Sequence, residues 1–396
     1  MTGETRVGVV GAGIIGLAVA RQLQRTRPDV EVTVFDKEPS VGSHQTGHNS
    51  GVAHAGLYYP RDSLKARLCR RGIGLLKEYC ADRGIPYVEC GKTVVAVTEE
   101  EVPRLRDIEE RARHNGVPGL RRLSPEEIRE HEPHIHGVAG LHSPSTAIVD
   151  FVAVTRAYAD DVVAAGGTLL LGTRSPRSPA TATWSASWPV NAGHLRPPGR
   201  LRRPAVGPRG PAGGRRRGPA IVPFRGEYLT MRPDRAHLVN GLVYPVPDPR
   251  YPFLGVHFTR RVDGTVDIGP NAVLSTAREG YRRSDLVVRD LAETLAWPGF
   301  RRLARQHWRM GVTEMRGSLS RRAFVAGARR YLPELTAADV DGRHAGVRAQ
   351  ALDRDGTLVD DFRISRLGPV TAVRNAPSPA ATSSLAIAEH LCEGLL

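Results

Sequence analysis

Cysteine and long apolar runs are both scarce in this sequence. The four cysteines, Cys69, Cys80, Cys90 and Cys392, do not pair at the spacing of metal ligands, so no metal site is predicted. So few thiols are typical of a reducing, cytoplasmic compartment, where cysteines serve as small buried hydrophobic residues. No apolar stretch is long enough to cross a bilayer, and the apolar start of the chain lacks the basic flank and cleavage site of a signal peptide.

Acidic residues and lysine are absent from residues 174–219, which hold ten Arg and nine Pro. Because ten of the 56 Lys and Arg residues lie in this acid-free stretch, the net charge of +15 falls to +5 when the stretch is left out. The basic character therefore belongs mainly to one segment, and nucleic acid is not expected as a partner.

Three explanations compete for residues 174–219. The stretch is a disordered basic linker for nucleic acid or acidic lipid, a low-complexity insertion, or a segment translated out of frame. Its composition favours the third, since GC-rich codons read in the wrong frame yield mainly Arg, Pro, Gly and Ala. We expect such a segment to supply no central strand of a sheet, because proline lacks the backbone donor that a ladder needs. An inactive product is therefore one alternative for this chain.

A dinucleotide-binding unit is indicated near the start of the sequence. Residues 6–10 form an apolar strand, residues 11–16 read Gly-Ala-Gly-Ile-Ile-Gly, and a helical pattern follows from 17 to 25. A second strand at 30–35 ends at Asp36. A GxGxxG turn between a strand and a helix, answered by an acid after the next strand, predicts a Rossmann-like βαβ unit. The fingerprint alone does not distinguish NAD from FAD.

Each glycine of the turn has a separate physical task. Gly11 permits the tight turn, Gly13 lets the backbone approach a pyrophosphate, and Gly16 lets helix and strand pack closely. The helix N-terminus offers free N–H groups and partial positive charge to phosphates. The cofactor residues predicted here are Gly11, Gly13, Ile14, Ile15, Gly16, Asp36 and Lys37.

Apolar periodicity and turn residues predict the remaining elements. Helices are predicted at residues 61–82, 124–132, 151–165, 283–297 and 379–395. Strands are predicted at residues 168–171, 221–230, 241–246, 253–259 and 264–269, with an edge strand at 356–362.

Several motifs resemble one family of flavoenzymes. Residues 44–59 read HQTGHNSGVAHAGLYY, residues 244–260 read YPVPDPRYPFLGVHFTR, and residues 375–388 read NAPSPAATSSLAIA. With these motifs, the chain resembles the FAD-dependent D-amino-acid oxidase superfamily, and within it the L-2-hydroxyglutarate oxidase/dehydrogenase family. The resemblance covers most of the chain outside residues 174–219. It implies FAD as cofactor and oxidation of L-2-hydroxyglutarate to 2-oxoglutarate, with a hydride passing to flavin N5 and electrons then to oxygen or quinone.

The resemblance also implies an α/β (α+β) fold with two parts. A Rossmann-like FAD-binding domain of glutathione-reductase type would comprise residues 1–85, 138–220 and 335–396. An inserted substrate domain with a mixed sheet would comprise residues 86–137 and 221–334.

Further cofactor contacts follow from the same resemblance. The early motif is expected to lie along the flavin, and the late motif to offer helix-start N–H groups to the flavin ring. The residues concerned are His44, Thr46, Asn49, Ser50, Gly51, Val52, Asn375, Pro377, Ser378, Ala380 and Thr382.

A dianionic substrate needs cations for its carboxylates. Arg348 is the favoured candidate, because a planar guanidinium binds a carboxylate through two parallel hydrogen bonds. Arg260 and Arg225 are weaker candidates, and Tyr244 and Thr259 could orient the substrate. A surface-paired side chain is an equal alternative for Arg260.

The reaction also needs a base for the hydroxyl proton. His257 is favoured, since Val256 and Phe258 would face one side of a strand and His257 the other. His54 is the second candidate, because its segment should lie beside the flavin. A structural histidine remains the alternative for both.

Other functions stay open from the sequence. The chain could be another FAD-dependent amine or hydroxy-acid oxidase of the same superfamily, or a nucleic-acid binder acting through its Arg-rich stretch. The protein is expected in the cytoplasm. Reduction of a quinone would require a peripheral contact with the inner face of the membrane.

Overall fold

The computed structural model describes residues 5–173, 189–192, 219–251 and 253–393. Its helices are α1 (Ile14–Thr26), α2 (Leu64–Asp82), α3 (Val102–His114), α4 (Pro125–His131), α5 (Phe151–Ala164), α6 (Val288–Ala296), α7 (Pro298–Leu319), α8 (Arg321–Ala328) and α9 (Ser384–Cys392). Its strands are β1 (Thr5–Val10), β2 (Val30–Phe35), β3 (Val52–Ala53), β4 (Tyr87–Val88), β5 (Lys92–Ala96), β6 (Arg121–Leu123), β7 (Ala139–Ser143), β8 (Ala147–Val149), β9 (Thr168–Leu170), β10 (Pro189–Ala192), β11 (Ala220–Met231), β12 (Leu242–Pro245), β13 (His257–Arg260), β14 (Val266–Gly269), β15 (Val273–Leu274), β16 (Val340–Leu352), β17 (Arg363–Leu367) and β18 (Val370–Asn375).

The first sheet carries the predicted βαβ unit. Its strands lie in the order β17-β18-β10-β1-β2-β9, with β1 and β2 parallel. Val7 and Val9 on β1 and Val32 and Val34 on β2 alternate with less buried residues and enter one core with α1, α5 and α9. Packing of α1 against this core fixes the direction in which its N-terminus points.

The stretch at 174–219 does supply a central strand, contrary to our expectation. The backbone of β10 lies between β1 and β18 and pairs antiparallel with both. The four residues contain no Arg, and Pro189 stands first in the strand, where a missing N–H is tolerated. Apart from β10 and residue 219, this stretch lies outside the described residues. The interpretation that it is translated out of frame concerns those same residues and stays a prediction.

The second sheet is mixed and positions the opposite side of the site. Its strands follow the order β15-β11-β14-β13-β12-β5-β7-β6, and β16 pairs antiparallel with β11 along most of its length. β5 is buried at every residue and pairs parallel with β12. The α/β fold with a Rossmann-like unit and a mixed sheet is thereby confirmed, whereas the domain boundaries stay a prediction.

Several element predictions need correction. Residues 356–362 form no strand; only an isolated bridge joins Leu352 and Leu358, because Gly356 takes a positive φ of 96° in a tight turn. The helix predicted from residue 283 begins at Val288, and the last helix begins at Ser384 rather than 379. Turns precede Ser384, where the amide of Ser383 donates to the carbonyl of Pro379 at 2.9 Å.

Helix α7 has an exposed apolar stripe. Trp308, Val312, Met315 and Leu319 recur at helical spacing after a kink at His307, with exposed fractions of 60%, 44%, 46% and 73%. None of the described helices combines the length and the hydrophobicity needed to cross a bilayer.

Candidate active site

A cavity of about 700 Å³ is walled by both sheets and by the two segments carrying the motifs at 44–59 and 375–388. Of the residues predicted from the sequence, its lining includes Gly13, Ile14, Ile15, Asp36, His44, Thr46, Asn49, Ser50, Val52, His54, Tyr244, His257, Arg348, Pro377, Ser378, Ala380 and Thr382. The structure therefore brings the glycine turn, the early motif and the late motif together around one space of the size that ligands occupy.

The N-terminus of α1 opens into one end of the cavity. Gly13 is the N-cap in extended conformation and offers no side chain to the amides of the first turn. The amide of Ile14 donates to Thr46 Oγ1 at 3.2 Å, which joins the early motif to the turn. A Cβ on Gly16 would lie 1.9 Å from the carbonyl oxygen of Gly11, so only glycine permits this contact. These features suit a pyrophosphate at the helix start.

Asp36 follows β2 at the same end. Its carboxylate accepts from the amides of Ala12 at 2.7 Å and Glu38 at 2.9 Å, which holds the side chain at the cavity wall. Lys37 points elsewhere and pairs with Glu279 and with Glu38. Its ammonium group is therefore engaged by two carboxylates rather than offered to a ligand.

One group of described side chains has the composition of a metal site. Glu38, His44 and Glu279 place possible ligand atoms within 4.8 Å of one another. The ammonium group of Lys37 pairs with both acids and offsets one of their two negative charges. The absence of a metal site stays a prediction from the sequence.

The early and late motifs are tied together by Thr382. Its hydroxyl accepts from the amide of His54 at 3.2 Å and donates to the carbonyl of Val52 at 3.4 Å. Gly72 on α2 packs so closely that a Cβ there would lie 2.6 Å from the Cα of Ser383. The position of His54 consequently depends on a residue 328 positions further along the chain.

Asn375 does not line the cavity, although the sequence predicted a cofactor contact. Its amide nitrogen donates to the carbonyls of Val359 and Asp361, both at 3.0 Å. Both amide hydrogens are used in holding that loop, and the side chain is 2% exposed. Asn375 therefore has a structural task behind the cavity.

His257 and Tyr244 form the wall at the second sheet. Their rings lie 3.9 Å apart between centroids, on the neighbouring strands β13 and β12. His257 Nδ1 lies 2.9 Å from the carbonyl oxygen of Gly255, and a carbonyl can only accept. The hydrogen of the neutral ring is therefore on Nδ1, and the lone pair on Nε2 is free to accept a proton.

Burial keeps this histidine neutral. Desolvation lowers the pKa of His257 to about 3; the carbonyl of Gly255 opposes this shift, while the charges of Arg348 and Lys92 add to it. Its Nε2 thus remains an acceptor throughout the neutral pH range.

Arg348 is the cation best placed to bind an anion in the cavity. Lys65 pairs with Asp360 at 2.7 Å, and Arg278 pairs with Asp290 at 3.2 Å. Among the described residues, no carboxylate lies within ion-pair distance of Arg348, whose guanidinium carbon lies 5.8 Å from the centre of the Phe253 ring. A substrate carboxylate would supply the missing partner.

The other arginine candidates point away from the cavity. Arg260 donates to the carbonyl of Val239 at 3.1 Å, and Arg225 pairs with Glu227 at 3.2 Å. The strand alternation that turns His257 toward the cavity does not turn Arg260 toward it. The predicted residues absent from the lining are Gly11, Gly16, Lys37, Gly51, Arg225, Thr259, Arg260 and Asn375.

Sequence reasoning missed several residues of the site. Tyr58, Lys65, Tyr228 and Asp360 line the cavity, and Lys92 lies directly behind His54. Tyr58 stands inside the quoted early motif, so its position could have been found there. Nothing in the local pattern around the others separates them from ordinary surface or strand residues.

The polar groups that line the cavity fit a flavin dinucleotide. The hydroxyl of Tyr58 is buried without a hydrogen-bond partner among the described residues, and burial raises its pKa well above the ordinary value. An orphaned hydroxyl in a cavity indicates a ligand that supplies its partner. Together with the open helix start at Gly13 and the carboxylate of Asp36, it leaves polar groups at both ends of an elongated cofactor.

Comparison with known proteins defines the class. The sequence matches the FAD dependent oxidoreductase (DAO) family over residues 6–394, so the protein belongs to this family and its cofactor is FAD. Two solved structures share the fold: L-alpha-glycerophosphate oxidase from Mycoplasma pneumoniae and glycine oxidase from Geobacillus kaustophilus. Their TM-scores are 0.71 and 0.62, at 19% and 18% identity, over 98% of this chain and 93% and 94% of theirs.

Relatives identified by sequence similarity share one name within this family. L-2-hydroxyglutarate dehydrogenases of Nematostella vectensis and Homo sapiens are 44% and 43% identical, over 98% and 99% of this chain and 89% of each relative. The L-2-hydroxyglutarate dehydrogenase of the bacterium Indibacter alkaliphilus is 41% identical over 99% of both chains. The family resemblance predicted from the motifs is confirmed.

Proposed function

We propose that this protein oxidises L-2-hydroxyglutarate to 2-oxoglutarate. The observation that carries the proposal is the pairing, in one cavity, of an uncompensated guanidinium at Arg348 with a neutral acceptor nitrogen at His257. A 2-hydroxy acid has both matching groups, a carboxylate and, on the adjacent carbon, a hydroxyl. The names of the sequence relatives support 2-hydroxyglutarate as the particular 2-hydroxy acid.

The side chains divide the work of the reaction. Arg348 binds the carboxylate beside the hydroxyl and so orients the reacting carbon. His257 Nε2 accepts the hydroxyl proton as the alcohol becomes a ketone. FAD, when bound, supplies the acceptor for the hydride that leaves the same carbon. Tyr244 packs on His257 and limits the motion of the imidazole.

The visible spectrum of the purified protein tests this function. We expect flavin absorbance that is bleached under anaerobic conditions by L-2-hydroxyglutarate, and not by D-2-hydroxyglutarate, glycine or sarcosine. Bleaching by glycine or sarcosine alone would assign the protein to the amine oxidases of the superfamily. Absence of flavin absorbance, unchanged by added FAD, would identify an inactive product.

A membrane surface is the partner that best fits helix α7. The helix contains five exposed arginines and a single acid, Glu314, which turns inward and accepts from the amide of Ala272 at 2.8 Å. The apolar stripe of Trp308, Val312, Met315 and Leu319 runs beside this positive charge. A basic amphipathic helix with an exposed Trp matches an anionic bilayer, and we propose that α7 docks there, where a lipid-soluble quinone could receive the electrons.

Flotation with phosphatidylglycerol vesicles tests the docking. The double variant Trp308→Ser, Leu319→Ser should bind at least about tenfold more weakly, because each buried apolar side chain contributes about 1.5–3 kcal/mol. The matched control is Val163→Ser with Tyr251→Ser, which removes two comparably exposed apolar side chains elsewhere. Equal loss in both pairs, or self-association through the stripe in light scattering, would contradict the proposal.

A further inference from the structure

Lys92 is a buried cation that the proposed reaction does not yet use. It begins β5 in the middle of the second sheet and is 1% exposed. On this strand it shares a face with Val94 and Ala96, which pack against Ala55 and Leu57 of the early motif. Within the described part of the chain, no carboxylate pairs with Lys92. Such a charge is costly to bury, so its retention needs a reason.

The neighbours of the ammonium group are the groups of the active site. Lys92 Nζ lies 3.4 Å from His54 Nδ1 and 4.0 Å from the centre of the Tyr244 ring. A second ring, Tyr58, lies 5.6 Å away. The two ring faces stabilise a cation that has no acid partner. The polar contact of Lys92 is thus directed at His54, and Lys92 itself does not line the cavity.

This contact decides which nitrogen of His54 carries the hydrogen. Below its pKa, which burial lowers to about 7, Lys92 is an ammonium group with three donors and no acceptor, so His54 Nδ1 must accept from it. The hydrogen of the neutral ring is then on Nε2, which is free to donate. His257 has the opposite arrangement, since its Nδ1 donates to the carbonyl of Gly255. One histidine therefore offers a donor and the other an acceptor.

We propose that Lys92 is a positioning residue that fixes His54 as an Nε2–H donor toward the cavity and leaves His257 to accept the substrate proton. The inference rests on the proposed function for the identity of the substrate, and on the geometry alone for the tautomers. It separates the roles of the two histidines that the sequence left as rival bases. A donor at His54 stabilises negative charge on an oxygen of the bound ligand, whereas an acceptor there could not.

Nitrogen NMR of histidine-labelled holoenzyme tests the tautomers without substrate. At pH 6 burial keeps His54 neutral, since its pKa lies well below 6.5, and Lys92, with a pKa lowered by burial to about 7, is mostly an ammonium. We expect protonation of His54 at Nε2 and of His257 at Nδ1, with the His54 signal identified by its loss in His54→Gln. Protonation of His54 at Nδ1 would overturn the proposal whether or not L-2-hydroxyglutarate is the substrate.

Kinetics of Lys92→Met provide the second readout. We expect kcat on L-2-hydroxyglutarate to fall about 100-fold with KM little changed, because a displaced donor costs about that factor. Lys92→Arg retains a cationic donor and should restore most of the activity. A rise in KM confined to L-2-hydroxyglutarate, with unchanged turnover of the monocarboxylate L-2-hydroxybutyrate, would mean that Lys92 binds the distal carboxylate and would overturn the positioning role. If Lys92→Met no longer binds FAD, the NMR measurement of the histidine tautomers in the wild-type protein decides whether the proposal holds.

Discussion

Replacement of His257 by glutamine is expected to lower kcat on L-2-hydroxyglutarate by about 10²- to 10⁴-fold, the usual contribution of a general base. Glutamine fills a similar space beside Tyr244, but its amide cannot take up a proton at neutral pH. FAD content and KM should change little, because His257 contacts Gly255 and Tyr244 rather than the helix start that receives the pyrophosphate. The measurement is steady-state turnover per flavin.

The pH profile adds an independent check of the base. Because the pKa of His257 is lowered to about 3, its imidazole is neutral above that pH and loses its lone pair only below it. The wild type should therefore show no loss of kcat/KM, which reports the free enzyme, as the pH falls through 6.5, the value of an ordinary histidine. An acid limb at that pH, or more than a tenth of wild-type kcat in His257→Gln, would place the base elsewhere.

Replacement of Arg348 by methionine should lower kcat/KM by about 30- to 5,000-fold, because loss of one partner of a desolvated ion pair costs about 2–5 kcal/mol. Most of the effect should fall on KM, since the carboxylate contact forms before the chemical step. Arg348→Lys should recover only part of it, because an ammonium cannot form two parallel bonds with a carboxylate.

The matched control for this prediction is Arg374→Met. Arg374 is an exposed arginine on β18 whose Nε donates to Ser365 Oγ at 2.7 Å, and it is not one of the residues that line the cavity. Its loss removes the same charge from the same protein, so a general effect of net charge on a dianionic substrate would appear in both variants. Equal changes in KM for Arg348→Met and Arg374→Met would refute direct binding by Arg348.

The parts of the fold that could be predicted from the sequence depend on short-range patterns. The strand, glycine turn and helix at the start of the chain obey local steric rules, and the clash awaiting a Cβ at Gly16 shows why that position is fixed. His257 could be predicted because alternation along β13 relates it to Phe258, which enters the apolar core on the opposite face.

The residues that could not be predicted depend on packing between distant segments. Lys92 opens an apolar strand, and a lysine there is usually solvent-facing; only the early motif lying over β5 buries it. Arg260 is a different case, because alternation along β13 already places it on the face opposite His257; only its partner, the carbonyl of Val239, depends on packing. Asn375 is a residue type common at helix starts, but its side-chain amide instead donates hydrogen bonds to carbonyls in a loop 14 to 16 residues away.

The hydrogen bonds of the Thr382 hydroxyl set the stage of folding at which the flavin site can form. It links the backbone at His54 and Val52 to a residue more than 300 positions later, so this wall closes only by joining segments remote in sequence. A nascent chain that has not yet passed residue 382 through the ribosome lacks that wall, whatever its earlier segments have folded into. We therefore expect the flavin site to be complete only once residue 382 has been synthesised and has packed against the backbone at residues 52 and 54.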